Sequence, residues 1–148
     1  MKKKNGCFKV YFKNGDLRSE KNYKDGILYG HFEEYHTNGK LKIKKFIKNL
    51  VLEGPYEEHF KNGQIKFCRN YKNGKLEGLF EEYFENGQIL FRCRFNQDKI
   101  VDGNYEGFFK NGKLKYKENY KNGLFDGPYE EYFQSGKIKN KFHYNNNL

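Results

Sequence analysis

Glycines recur at Gly6, Gly30, Gly54, Gly78, Gly103 and Gly127, four times at a spacing of 24 residues and once at 25. A period of this length marks a chain of stacked supersecondary units rather than one closed core. From Gly78 the unit reads Gly-Leu-Phe-Glu-Glu-Tyr-Phe-Glu-Asn-Gly-Gln-Ile-Leu-Phe-Arg-Cys-Arg-Phe, and Gly-Pro-Tyr-Glu-Glu opens the units at Gly54 and Gly127. The expected organisation is a basic tail, 1–5, followed by units 6–29, 30–53, 54–77, 78–102, 103–126 and 127–148.

Each unit holds two turn signals. The first is Asn-Gly at Asn14, Asn38, Asn62, Asn86 and Asn111, with Ser135-Gly136 in the last unit. The second is Asp25-Gly26, Asn73-Gly74 and Asn122-Gly123, with Asn49-Leu50 as a degraded copy. Asn-Gly supplies positive φ at both central residues of a type I′ hairpin turn. Two such turns leave room for two strands per repeat. The expectation is therefore an all-β fold, an elongated single-sheet antiparallel meander, twisted and curled, with almost no helix. Asn96-Gln97-Asp98-Lys99-Ile100 lacks the glycine, which predicts a wider loop between the fourth and fifth units.

Side-chain alternation through both turns sorts the residues. Numbering each unit from its glycine, one face collects Tyr56, Phe60, Ile65, Phe67, Tyr71 and Leu76, and in the next unit Phe80, Phe84, Ile89, Phe91 and Phe95. The other collects Glu57, His59, Lys66 and Cys68, then Glu81, Tyr83, Leu90 and Arg92. One apolar and one charged face is what an antiparallel sheet with a wet side requires. A carboxylate at position 5 (Glu34, Glu58, Glu82, Glu131) falls on the apolar face without an evident reason. Pro55 and Pro128 follow repeat glycines and predict a bend there, since proline cannot sit inside a paired strand.

These units resemble the variant MORN repeat, and in particular the bacterial YwqK-like family that carries an antitoxin label. The matching pattern is Glu-Glu-Tyr-x-x-Asn-Gly-Lys/Gln-Leu/Ile-Lys followed by Tyr-Lys-Asn-Gly-x-x-x-Gly, over 31–49, 56–78, 80–95 and 129–139. The resemblance implies a β-hairpin array without catalytic machinery, serving as a scaffold or dimerising module, with phospholipid a suggested ligand of such repeats. Fold alone is a weak warrant for function.

Composition narrows the classes further. No run approaches the roughly 18–20 apolar residues of a membrane span. The start, Met-Lys-Lys-Lys-Asn-Gly, has a signal peptide's charge without its apolar core, so the expectation is a cytoplasmic protein, or a secreted or surface one whose leader was removed. Cys7, Cys68 and Cys93 form no Cys-x-x-Cys, and no Cys or His pair has zinc-ligand spacing, so neither a disulfide framework nor a metal or other cofactor is expected. Ser19, Thr37 and Ser135 lie outside any nucleophile motif, and adjacent Glu-Glu residues point to opposite faces and cannot form a dyad. An enzyme is not expected.

The net charge of +10 divides into acidic and basic strands, which fits cross-strand pairing such as Glu106 against Lys117. It also fits a basic surface for anionic membranes. Specific nucleic-acid binding is disfavoured, because no recognisable motif is present and arginine is scarce. The reading is a non-enzymatic scaffold that binds a protein partner, antitoxin-like by resemblance; the alternative is association with anionic phospholipid. Candidate partner surfaces are an aromatic groove (Phe32, Phe60, Phe84, Phe109, Phe133) and a Tyr/Lys face (Tyr35, Tyr83, Tyr132, Lys42, Lys66, Lys115). The first strand, with Phe8, Val10 and Phe12, is the candidate edge for a homodimer.

Overall fold

The computed structural model describes residues 3–145. It is a single open antiparallel sheet of 16 strands, and the described residues contain no helix. The strands are β1 Gly6–Tyr11, β2 Leu17–Lys24, β3 Ile27–Tyr35, β4 Leu41–Lys48, β5 Val51–Leu52, β6 Gly54–His59, β7 Ile65–Lys72 and β8 Lys75–Leu76. They continue as β9 Gly78–Tyr83, β10 Ile89–Asn96, β11 Lys99–Ile100, β12 Gly103–Phe108, β13 Leu114–Lys121, β14 Leu124–Phe125, β15 Gly127–Tyr132 and β16 Ile138–Tyr144. The sheet runs β1-β2-β3-β4-β6-β7-β9-β10-β12-β13-β15-β16, while β5, β8, β11 and β14 each fold back on the strand before them. The meander expected from the sequence is what forms.

The two turn signals make different turns. At the second, both central residues have positive φ: Asp25 and Gly26, Asn49 and Leu50, Asn73 and Gly74, Asn122 and Gly123. These are type I′ turns. At the first, only the glycine does, as at Gly63 (φ 92°), and Gly63 N–H donates to the Phe60 carbonyl at 2.9 Å. That is a type I turn closed by a left-handed glycine, not the expected I′. Asparagine is there for its side chain: Asn62 Oδ1 accepts the Gln64 N–H at 2.9 Å, and its amide donates to the Glu85 carbonyl of the next unit at 2.7 Å. Asn38 and Asn86 reach Lys61 and Lys110 in the same way.

The first turn also carries an unforeseen bulge. His59 faces Ile65 but Glu58 faces Phe67, so Lys66 is the extra residue, and the same slip recurs in every unit. Positions 12 and 13 thereby exchange faces. Ile65 and Ile89 pair with His59 and Tyr83 on the charged face, while Lys66 turns to the ring face and reaches Glu58 at 2.9 Å. The carboxylate at position 5 now has its reason. Glu34–Lys42 at 2.8 Å and Glu131–Lys139 at 2.9 Å repeat the pairing.

Opposite the first turns, the strand breaks before the repeat glycine, at Glu53, Glu77 and Asp126. The bend accompanies Pro55 and Pro128 as expected, and Gly78 shows that it does not need proline. The Glu53 and Glu77 carboxylates accept the first N–H of the next unit's turn, from Asn73 at 2.7 Å and Gln97 at 3.1 Å. The 25-residue spacing is absorbed here. Gln97 and Asp98 form an ordinary two-residue turn (φ 51° and 67°), so the expected wide loop is absent. Instead Val101 takes the backbone bond to Arg94 and Asp102 supplies the carboxylate, for Asn122 N–H at 2.7 Å. Two residues share what one does elsewhere.

With no second layer among the described residues, burial concentrates on one line of the ring face. Only Phe32 (8% exposed), Cys93 (2%) and Tyr105 (8%) are buried apolar side chains there. All occupy positions 3 or 16, in the middle of the strands.

Candidate functional site

The register defines each face as parallel rows crossing the sheet. On the charged face, positions 4 and 15 align as Lys9, Glu20, Glu33, Lys44, Glu57, Cys68, Glu81, Arg92, Glu106, Lys117, Glu130 and Lys141. Signs alternate along most of it, with ion pairs at Lys9–Glu20 (3.4 Å), Lys117–Glu106 (3.6 Å) and Lys141–Glu130 (2.8 Å). The Glu106–Lys117 pairing is the one the sequence predicts. Unit one reverses the usual order, so Glu20 meets Glu33, and Cys68 replaces a cation between Glu57 and Glu81.

Beside this row stand the position-6 rings. Tyr35 donates its hydroxyl to Glu33 at 2.6 Å, Tyr83 to Glu81 at 2.9 Å and Tyr132 to Glu130 at 2.5 Å, while His59 contacts Glu57 at 3.3 Å. The bond to Glu33 pushes the Tyr35 phenol up to about 12, and burial with Glu81 does the same for Tyr83. These tyrosines hold carboxylates in place and are not poised to ionise.

The predicted Tyr/Lys face is therefore two faces. Tyr35, Tyr83 and Tyr132 lie on the charged one; Lys42 and Lys66, through the bulge, lie on the ring face against Glu34 and Glu58. Lys115 has no such partner because position 5 of its unit is Gly107. It lines a cavity of about 410 Å³ with Phe84, Leu90, Phe109 and Tyr116. The groove residues divide too. Phe60, Phe84, Phe109 and Phe133 open successive first turns, whereas Phe32 sits mid-strand in the buried line. Of the candidate edge residues, Phe8 and Val10 lie on β1, with Phe8 edge-on to Tyr23 at 5.4 Å; Phe12 is past the strand, opening a turn.

Sequence reasoning passed over the row that alternates positions 3 and 16. Rings at Phe8, Phe32, Tyr56, Phe80, Tyr105 and Tyr129 are separated by Lys21, Lys45 and Arg69, then by Cys93 and Glu118. Lys45 Nζ lies 4.5 Å from the Phe32 centroid, and Arg69 Cζ lies 4.2 Å from Phe67 and 5.3 Å from Tyr56. Arg69 Nε is buried without a hydrogen-bond partner, so aromatic faces alone hold that end of the guanidinium. Burial pushes the Cys93 thiol up to about 11, leaving it protonated and inert. The signal was there, in position 16 read down the six units.

The MORN repeat variant model matches residues 4–25, 28–49, 52–73, 76–97, 101–122 and 125–146. The chain belongs to that family. No curated protein matches it. The MORN repeats tile the observed strands one hairpin pair at a time, and each of the first five matches ends on the first central residue of a type I′ turn. MORN repeats commonly mediate protein or membrane binding and are not an enzyme family. Among the described residues no three His, Cys, Asp or Glu side chains gather to hold a metal, and no helix is long and apolar enough to cross a membrane.

Proposed function

We propose that the chain is a non-enzymatic repeat scaffold that binds a protein partner through its ring face. The observation that supports this is the single layer. Many rings sit on one side of a sheet that no other layer of the described chain covers, and Phe133 and Phe142 are half exposed. Rings left open in a contiguous array are characteristic of interaction surfaces. The cavity among Phe84, Phe109, Lys115 and Tyr116 is the focal point, with a lysine at its rim to orient an acidic or carbonyl group. In the finer, antitoxin-like reading the partner is a toxin, and that rests on resemblance alone.

The test is an affinity capture from nuclease-treated source-cell lysate, eluted in salt steps and read by mass spectrometry, with Phe109→Ser in parallel. One stoichiometric protein held through high salt and lost in the variant supports the reading. Equal recovery by both chains sinks it.

A second reading has its own observation. Lys13, Lys40, Lys61, Lys110 and Lys113 are exposed along the first-turn edge, beside Phe60, Phe84 and Phe109. Cations flanking rings suit an anionic phospholipid surface. Binding to phosphatidylserine vesicles that collapses with added salt would favour this reading over a protein partner.

A further inference from the structure

Position 16 offers a comparison internal to the chain. In units one to three it is Lys21, Lys45 or Arg69, a cation lying against neighbouring rings. In unit five it is Glu118. Tyr105 lies directly across the strand pair from it, and Tyr116 and Tyr120 flank it along β13 on the same face. The register that pairs Tyr116 with Glu131 and Lys117 with Glu130 continues to set Tyr129 on its other side. Four tyrosines thus surround one carboxylate. Tyr105 and Tyr120 meet edge to face at 5.6 Å; Tyr116 and Tyr129 are nearly parallel, 17° apart in plane with centroids 6.5 Å apart.

Glu118 has the Tyr120 hydroxyl as a hydrogen-bond donor but takes part in none of the ion pairs that hold Glu34, Glu58 and Glu131. Burial disfavours its charge. Gly107 helps to make the place: a Cβ there would stand 2.3 Å from the Tyr116 ring, so its absence lets that ring lie against the backbone. The same residue removes the position-5 carboxylate that a bulge lysine would otherwise neutralise. Aromatic faces and an uncompensated carboxylate both attract a cation, and together they favour an organic one, whose weak hydration suits rings. In units one to three the row carries its own cation; in unit five that cation is missing and a carboxylate stands in its place.

We propose that Glu118, with Tyr105, Tyr116, Tyr120 and Tyr129, forms a binding site for an alkylammonium group, either a small quaternary ammonium or the side chain of a lysine. The site stands apart from the protein-partner reading, since it is defined by a ligand group and survives if no stoichiometric partner is found.

The experiment titrates the whole chain with tetramethylammonium chloride and, separately, with Nα-acetyl-lysine amide, using sodium chloride as control, and follows tyrosine ring resonances by NMR. Saturable shifts at these four tyrosines are expected with at least one probe, and the tighter probe identifies the source. Glu118→Gln should weaken binding by about tenfold, the share of charge over ring attraction. Glu118→Lys should abolish it by filling the box from within, and Lys21 and Lys45 show that the repeat accepts lysine at this place. No saturation with either probe, or unchanged shifts in Glu118→Lys, overturns the proposal. Should the lysine variant fail to fold, undiminished affinity in Glu118→Gln overturns it equally.

Discussion

The third and fifth units share one backbone and oppose each other in electrostatics. Around Arg69, three rings enclose a cation that the chain supplies; around Glu118, four rings enclose a carboxylate with no ion-pair partner among the described residues. The repeat frame is thus tolerant at position 16, because the surrounding rings and ladder bonds come from other positions. Repeats of this kind keep their fold with the pattern and vary their chemistry at single sites within it.

The largest test of that contrast removes a ring from the cationic end. Phe32 lies between Lys21 (5.3 Å) and Lys45 (4.5 Å) and is nearly buried, so Phe32→Ala should cost about 3–4 kcal/mol in urea unfolding. A loss below about 1 kcal/mol would mean that this row is not the core. Next is the anionic end. Gly107→Ala drives a methyl into the Tyr116 ring and should cost about 2 kcal/mol by thermal melting, whereas alanine at the equivalent Glu58, which already carries a Cβ opposite Phe67, adds no atom there. Similar losses at both would erase the distinction between the units.

How much of this could be read beforehand depends on which residues carried a period. Rings at positions 3 and 18 announced the apolar face, and the repeat glycine announced the unit. The bulge left no trace, because Ile65-Lys66 alternates correctly whichever of the two faces the rings; only backbone register decides. Turn type was hidden for a related reason. Asn-Gly serves a I′ turn or a type I turn followed by a left-handed glycine, and what selects the latter is Asn62 bonding to a neighbouring unit that local reading does not see. Gln97-Asp98 makes a tight turn without the glycine that the expected pattern requires, because the flanking pairs Asn96–Lys99 and Phe95–Ile100 hold two non-glycine residues at positive φ. The site row escaped because its residues are chemically unlike one another; their likeness is positional.

A third test uses acidity. Burial raises the Glu118 carboxyl above its ordinary 4.5, so the folded chain binds that proton more tightly than the unfolded one. Its contribution is fully present below that value and lost as pH rises through the folded pKa. Glu118→Gln should therefore raise the melting temperature at pH 7 and leave it little changed near pH 4. A gain that ignores pH would point to packing rather than charge.

The smallest effect concerns the reversed first unit. Exchanging its charges, Lys9→Glu with Glu20→Lys, removes the Glu20–Glu33 opposition and should stabilise by about 0.5 kcal/mol at low salt. It also alters self-association. A second copy joining β16 through its own β1 in repeat register would set Lys9 beside Lys141, a repulsive match that the exchange turns attractive. Sedimentation should show assemblies larger than a dimer, growing with concentration, only for the exchanged chain. The homodimer reading through β1 is checked separately by Val10→Lys, which should dissociate any wild-type dimer.

Because every strand bonds only to strands one or two places away along the chain, the sheet has the mechanics of a zipper rather than of a clasp. Tension applied between its two ends would load the hairpins in succession, not all at once. Each unit that opened would pay out roughly 80 Å of chain, at about 3.4 Å per residue. The expected trace is a sawtooth of near-equal steps at low force, with the lateral asparagine and carboxylate bonds at the turns setting the height of each tooth.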